Sequence, residues 1–421
     1  MIVLLFSFIF LHLLLDLSSL YWSRLITGLS FINPISVSSL IILPLNTLVN
    51  VTPLFLGTYP DLDIYVFTVA MSFFYLLIHL ASLLLGDRIS FFSRLPSVVP
   101  AFGCLNRKHL KYISIASFAL FIIFMLIISL RTGGVLDWFT NIRTSYIEKR
   151  DGNGLFYALA QSSLSASYFA FGFTITSYTF LFFSFFPFVL CAFILGSKGL
   201  ILGYFSVFLF FSWRLGGHKL MLRSLALLSP PILFLMVFNL YLSYVSADAT
   251  LSTLGLFKYF DHCTTSQIYY RDFFDGKVDL FDGKILSTSL YSSLPRILFP
   301  DKPYIYGIIH INEIYFPNLA STGNTPAFGC GVFQFADFGF PGFILLSFFN
   351  TNWFILPFLR RFFADVIKYN SFGIIDMKSF FIGLILIDKS FSAYFSSFSI
   401  LFLLFFFLVV FRFSKVKFSH L

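Results

Sequence analysis

The sequence predicts an all-α polytopic membrane protein with about 11 transmembrane helices, in a range of roughly 10–12. Three observations predict it. Apolar runs of about twenty residues recur along most of the chain, the length a helix needs to cross a bilayer. Only 11% of residues are charged and 58% are hydrophobic, against about 25% charge in a soluble domain. No alternation of apolar and polar residues marks the strands of a membrane barrel.

The elements follow in chain order. The first run, 2–20, lacks a basic leader and a small-residue cleavage motif, so it reads as a retained span. Spans follow at 36–57, 62–85 and 112–130. The stretch 154–213 fits three tightly connected helices at 154–174, 177–196 and 198–213, with an outer turn at Gly196-Ser197-Lys198-Gly199. A span at 224–245 comes next. From 246 to 325 the chain turns polar, charged and tyrosine-rich before apolar runs resume at 339–359, 372–390 and 392–411. The charge-free core of 372–390, Ser379 to Ile387, is short, which leaves a re-entrant segment open there. The chain thus divides into an N-terminal bundle (1–245) with a smaller loop at 131–153, a large loop (246–338) and C-terminal helices (339–421).

Orientation comes from charge. The formal net charge is +9, but the basic residues sit beside apolar runs, which points to membrane orientation and not to nucleic acid. Arg88, Arg94, Arg107, Lys108 and Lys111 form one cluster, and Arg214, Lys219 and Arg223 a second. Two more lie at Arg360, Arg361 and Lys368 and at Arg412, Lys415 and Lys417. Short basic loops stay cytoplasmic. Counting spans from these clusters places 131–153, the turn at Lys198 and the large loop together on the outer face. The 64 phenylalanines read as filler for lipid-facing positions, with an aromatic groove for a polyprenyl chain as the alternative.

The outer loops hold the residues that could carry chemistry. Arg143 and Arg150 belong to a basic stretch on the outer face, against the usual charge rule. Arginine's planar fork of donors matches phosphate oxygens. Lys198 stands alone between two apolar runs, either as a snorkelling lysine or as a cation beside a headgroup. Prolines in Leu294-Pro295-Arg296 and Phe299-Pro300-Asp301-Lys302-Pro303 stiffen the segment that carries Arg296 and Lys302, a frame suited to an anion.

His310 and Glu313 share a face if their stretch is helical. A carboxylate can then orient an imidazole acting as general base; Asp301 and Asp272 are rival bases. Ser321 and Asn324 lie in a small polar run at the entry to a span, where they can line a sugar site. The glycines around 329–342 suit either substrate approach or tight helix packing. Asp272, Asp275, Asp279 and Asp282 read as a solvated loop, and no metal motif, phosphate-binding glycine loop or nucleophile elbow stands out. Cys263 and Cys330 flank the large loop, either as a disulfide on an oxidising face or as unpaired thiols.

A polytopic chain of this size, with an outer arginine loop, a Gly-Ser-Lys-Gly turn, the run LPRILFPDKP (294–303), and STGNTPAFG (321–329) followed by FGFPG (338–342) resembles the bacterial O-antigen polymerases. The resemblance is specific over roughly 290–342. It implies a GT-C-like, metal-independent membrane glycosyltransferase of the inner membrane, with its active site facing the periplasm and no cofactor. Its partners would be an undecaprenyl-diphosphate-linked oligosaccharide, membrane lipid and, as a further candidate, a chain-length regulator protein. By likeness, Lys198 sits where such proteins often carry arginine in a Ser-Arg-Gly turn, and Arg296 falls where a basic residue is expected. Arg143, Arg150, Lys198, Arg296 and Lys302 are then the candidate diphosphate-binding residues, His310 and Glu313 the candidate catalytic pair, and Ser321 and Asn324 the candidate sugar contacts. The rival readings are an O-antigen ligase and, in another class, a lipid-linked oligosaccharide flippase.

Overall fold

A computed structural model describes residues 1–27, 61–88, 104–134, 153–196, 198–245, 261–289, 299–321 and 328–349, with shorter pieces at 32–33 and 49–59, a few isolated residues, and parts of 362–384. In chain order the helices are α1 (Ile2–Thr27), α2 (Leu62–Arg88), α3 (Arg107–Arg131), α4 (Gly154–Thr174), α5 (Tyr178–Ile194), α6 (Lys198–Val245), α7 (His262–Phe274), α8 (Lys284–Thr288), α9 (Ile309–Tyr315), α10 (Pro317–Ser321) and α11 (Val332–Phe349). Two short strands, β1 (Cys104–Asn106) and β2 (Ile374–Asp376), pair antiparallel with Cys104 opposite Asp376. The chain forms two compact units. One contains 1–96, 250–292 and 302–360, and the other 97–249, 293–301 and 361–421.

In the second unit, α3 and α4 pack closely because small residues line their contact. The Ser114 hydroxyl donates to the Ser167 carbonyl at 3.0 Å, and the Ser167 hydroxyl donates to the Ser114 carbonyl at 2.9 Å. Such pairs let backbones approach where lipid supplies no hydrophobic drive between helices. Gly172 presses against the Phe211 ring, and a Cβ there would lie 2.0 Å from it. Tyr157 ties α4 to the end of α5 by donating to the Leu195 carbonyl at 2.6 Å.

Two of the described helical stretches, Arg107–Arg131 and Gly199–Leu235, are long and apolar enough to cross a membrane. The second is not one straight helix. Gly216 and Gly217 leave helical geometry, Gly217 with φ 67°. Twelve residues of straight helix would separate Ser212 from Ser224 by about 18 Å, yet their hydroxyls hydrogen-bond at 3.0 Å. The chain therefore folds back at the glycine pair, and its two arms correspond to the expected spans 198–213 and 224–245. The arm before the break is about 27 Å long at 1.5 Å per residue, close to the ~30 Å of a hydrocarbon core. The expected basic loop between the arms shrinks to a two-glycine corner with Arg214 and Lys219 on either side of it.

Arg214 explains part of that corner. Its Nη2 donates to the carbonyls of Gly172 at 3.1 Å and Ile175 at 2.5 Å, at the C-terminal end of α4. Its guanidinium carbon lies 5.8 Å from the Phe173 ring, 5.6 Å from Phe211 and 5.9 Å from Tyr369. A cation with fork geometry can satisfy terminal carbonyls and stack on rings at once.

The phenylalanines serve two purposes. Phe180, Phe183 and Phe186 on α5 are exposed, as lipid-facing filler requires, whereas Phe169, Phe173, Phe185, Phe205, Phe208 and Phe211 are fully buried. The filler reading thus covers only part of them. The rest build an aromatic core of edge-on and tilted pairs such as Phe173 on Phe211 (5.2 Å) and Phe185 on Phe208 (4.8 Å).

In the first unit, α2 is the central helix, packed by α1, α7 and α11. Phe8 meets Phe73 at 5.7 Å, and Phe67 meets Tyr270 edge-on at 5.1 Å. The large loop is built onto this helix. Tyr269, Tyr270, Ile285, Ile311, Val332 and Phe335 bury themselves in one cluster with Met71 of α2.

Candidate functional site

The site is assembled from the large loop by a chain of backbone anchors in the first unit. It begins where α11 breaks. Phe338 and Gly339 leave helical geometry, Gly339 with φ 64°, and Pro341 starts the second arm. Proline suits that place because it has no N–H to leave unpaired. Just before the break stands Asp337, 0% exposed. Its carboxylate accepts the backbone N–H groups of Ile285 at 2.9 Å and Leu286 at 2.6 Å, which satisfies free donors in the first turn of α8. The Phe281 N–H donates to the Ala336 carbonyl at 2.9 Å, fixing the approach to α8. At the other end of α8, the Thr288 hydroxyl accepts from the Gly307 N–H at 2.8 Å. Gly307, with φ 54°, precedes α9 by two residues. Asp337 thus positions α8, and α8 positions the start of α9.

That placement puts His310 within electrostatic reach of Lys284, Asp337 and Glu313, with the Phe281 ring centroid 6.4 Å away. His310 is 7% exposed, and neither ring nitrogen has a hydrogen-bond partner among the described residues. Burial, aided by the Lys284 charge, pushes its pKa below the ordinary 6.5, while Glu313 and Asp337 pull the other way. The imidazole is therefore held neutral at pH 7, with a lone pair to accept a proton. The buried Tyr269 hydroxyl also has no partner among the described residues, and burial and Asp337 raise its pKa. A neutral imidazole with the Lys284 charge within electrostatic reach can accept a proton from a bound hydroxyl group.

The segment carrying His310 and Glu313 is helical, as their expected shared face requires, but Glu313 acts on the imidazole only through its charge and makes no hydrogen bond to it. Glu313 is exposed where His310 is buried. Lys284, Tyr269 and Asp337 were missed by sequence reasoning. Asp337 carried a signal: an acid at the mouth of an apolar run needs a partner to be tolerated there. Lys284 and Tyr269 carried none, since only folding brings Lys284 within reach of His310 and Tyr269 within reach of Asp337.

The rival base Asp272 pairs with Arg271 at 3.5 Å and Lys277 at 3.7 Å, and Asp275 pairs with Lys277 at 2.8 Å. The Lys277 hydrogen bond holds the Asp275 carboxyl below its ordinary range. These acids are occupied by ion pairs near the surface, and the other rival, Asp301, is exposed. No group of three metal-ligating side chains occurs among the described residues.

Lys302 rests its ammonium 4.3 Å from the Tyr306 ring centroid, which holds the cation on the loop. Lys198 opens α6 and Ser321 closes α10, and the side chains of both lie outside the described set. Arg143, Arg150, Arg296 and Asn324 lie wholly outside it. Around the glycines of 329–342 the geometry is one of packing. A Cβ on Gly331 would lie 2.3 Å from the Phe343 ring, and one on Gly342 would lie 2.6 Å from Phe338.

The large loop thus holds a buried, neutral imidazole with no hydrogen-bond partner among the described residues. The chain is similar to the O-antigen polymerase of Salmonella typhimurium strain LT2 and to that of Salmonella typhi. Each is 26% identical over 149 residues, 35% of this chain and 35% of the relative. The match therefore spans about a third of the length of these relatives. No family model matches, and no solved structure matches.

Proposed function

We propose that this chain polymerises lipid-linked O-antigen repeat units at the periplasmic face of the inner membrane. The observation that carries the reading is the similarity to two O-antigen polymerases; the neutral, unpaired His310 in the large loop supports it. The acceptor is the non-reducing end of a new repeat unit, and the donor is a growing glycan on undecaprenyl diphosphate. His310 takes the proton from the acceptor hydroxyl as its oxygen attacks the anomeric carbon of the donor. The bond from that carbon to the diphosphate oxygen breaks, and undecaprenyl diphosphate leaves. Its developing charge calls for cations, for which Arg143, Arg150, Lys198, Arg296 and Lys302 are the candidates. Glu313 orients the imidazole, and Ser321 and Asn324 bind sugar hydroxyls. The driving energy resides in the glycosyl–diphosphate bond, so the transfer needs no nucleotide.

The test is the lipopolysaccharide banding of a deletion strain with and without the gene restored. Core bearing a single repeat unit supports a polymerase. Bare core overturns the reading in favour of a ligase or a flippase, because those steps lie before or at attachment to the core.

A further inference from the structure

Cys263 and Cys330 lie 67 residues apart in sequence, yet they share one buried cluster with Leu5, Tyr65, Val66 and Val69. Both are free thiols in the structure: Cys263 accepts from Gln267 Nε2 at 3.7 Å, Cys330 donates to Asn50 Oδ1 at 3.8 Å, and Cys330 lies near enough to raise the Cys263 pKa. The backbone explains why they meet. Cys263, Ser266 and Tyr270 occupy one face of α7 at the i, i+3, i+7 spacing. Two of the three are fastened to the segment that carries Cys330. The Ser266 hydroxyl accepts from the Gly329 N–H at 2.9 Å and lies 3.1 Å from the Gly329 carbonyl. The Tyr270 hydroxyl donates to the Cys330 carbonyl at 2.8 Å. Gly329 also packs against His262: a Cβ there would lie 3.4 Å from the His262 Cβ. The third residue of the face, Cys263, is thereby aimed at Cys330. Cys330 itself has φ 51°, a left-handed conformation that a non-glycine residue rarely holds without being fixed by its surroundings.

We propose that Cys263 and Cys330 are joined by a disulfide that closes the large loop onto the helix α2 platform. This rests on the large loop facing an oxidising compartment, and it goes beyond the transfer reaction. The two thiols lose two protons and two electrons. These pass to a disulfide donor of the dithiol-oxidoreductase class through a mixed disulfide, leaving that donor reduced. The exchange takes place while the loop is still open, since in the folded unit the thiols are 0% and 9% exposed. Closure to an S–S bond of about 2.05 Å is favoured because the Ser266 and Tyr270 hydrogen bonds already hold the two segments together. The bond would link the first turn of α7 to the start of α11, the two elements that bracket the His310 segment. Burial raises the Cys263 thiol well above its ordinary range, so once enclosed the pair exchanges slowly with external thiols.

The experiment is peptide mass mapping of the full-length protein. Cells are lysed into a thiol-blocking alkylator, and the protein is denatured and digested without reductant. The expected result is a linked peptide pair containing Cys263 and Cys330, which separates on reduction. Cys191, a free thiol on α5, should be alkylated throughout and serves as the internal control. In Cys263→Ser protein, Cys330 should become fully alkylated. Alkylation of both Cys263 and Cys330 in unreduced wild-type protein overturns the proposal, as does a link from either one to a different cysteine. The polymerase reading stands or falls separately on the banding of the deletion strain.

Discussion

His310 makes the sharpest prediction at the scale of single residues. An unpaired, buried imidazole with its pKa held below 6.5 has a proton-accepting role available to it at pH 7. His310→Ala should slow chain extension by about 10²–10⁴-fold, the usual contribution of a general base, while Glu313→Gln should cost less. Extension should fall on acidification as the neutral form is lost, with a midpoint below the ordinary 6.5. Stability should follow the same sense. The unfolded chain takes up a proton near the ordinary value of 6.5 while folded His310 resists, so acidification through that range favours unfolding, and above it His310 contributes no pH dependence. Turnover profiles and melting curves of the two variants across pH check both claims. A second residue-scale prediction concerns Arg214. Arg214→Gln gives up two charge-assisted bonds to the end of α4 and should destabilise the purified protein by about 1.5–3 kcal/mol. Arg214→Lys should recover only part of this, because an ammonium lacks the planar fork that serves the Gly172 and Ile175 carbonyls. Thermal unfolding in detergent measures the difference.

Among the elements, two glycines decide where long helices turn. Gly217 has φ 67° and nothing within 4 Å of its missing Cβ, so a substitution there meets backbone strain without a clash. Gly217→Ala should cost about 1–3 kcal/mol, and Gly217→Asn should recover none of it, because φ 67° with ψ −162° lies outside the left-handed helical region that asparagine tolerates. Equal melting temperatures for wild type and Gly217→Ala would remove the reversal from the account. Some of the described helices were legible from hydropathy, while the expected span 392–411 lies wholly, and 372–390 mostly, outside the described residues. The expected span 154–174 coincides with α4 (Gly154–Thr174), and 112–130 lies inside α3 (Arg107–Arg131). Apolar run length sets such boundaries, and polar residues mark their ends. The reversal at Gly216–Gly217 was half legible: its basic residues showed that a turn was there, but not that two residues suffice. The site was less legible. Spacing put His310 and Glu313 on one face, a local property of a helix. The anchor of Asp337 on α8 and the nearness of Lys284 depend on contacts over about fifty residues, which no periodicity encodes.

For the whole molecule, the charge pattern predicts the side of the membrane on which the large loop lies. Ser287 and Lys219 are both exposed. Ser287→Cys should react with an impermeant thiol reagent added from the periplasm, and Lys219→Cys should react only after lysis. Ser224, beyond the same corner, is buried and bonded to Ser212 and Tyr178, so a thiol there would be shielded on either side. Protection of Ser287→Cys in intact spheroplasts would invert the orientation. The central claim is that this one chain joins repeat units, and purified protein tests it most directly. Supplied only with undecaprenyl-diphosphate-linked repeat units, the protein should produce a ladder of lipid-linked chains, and the His310→Ala variant should produce one far more slowly. Repeat units that stay single with active, folded wild-type protein would contradict the account.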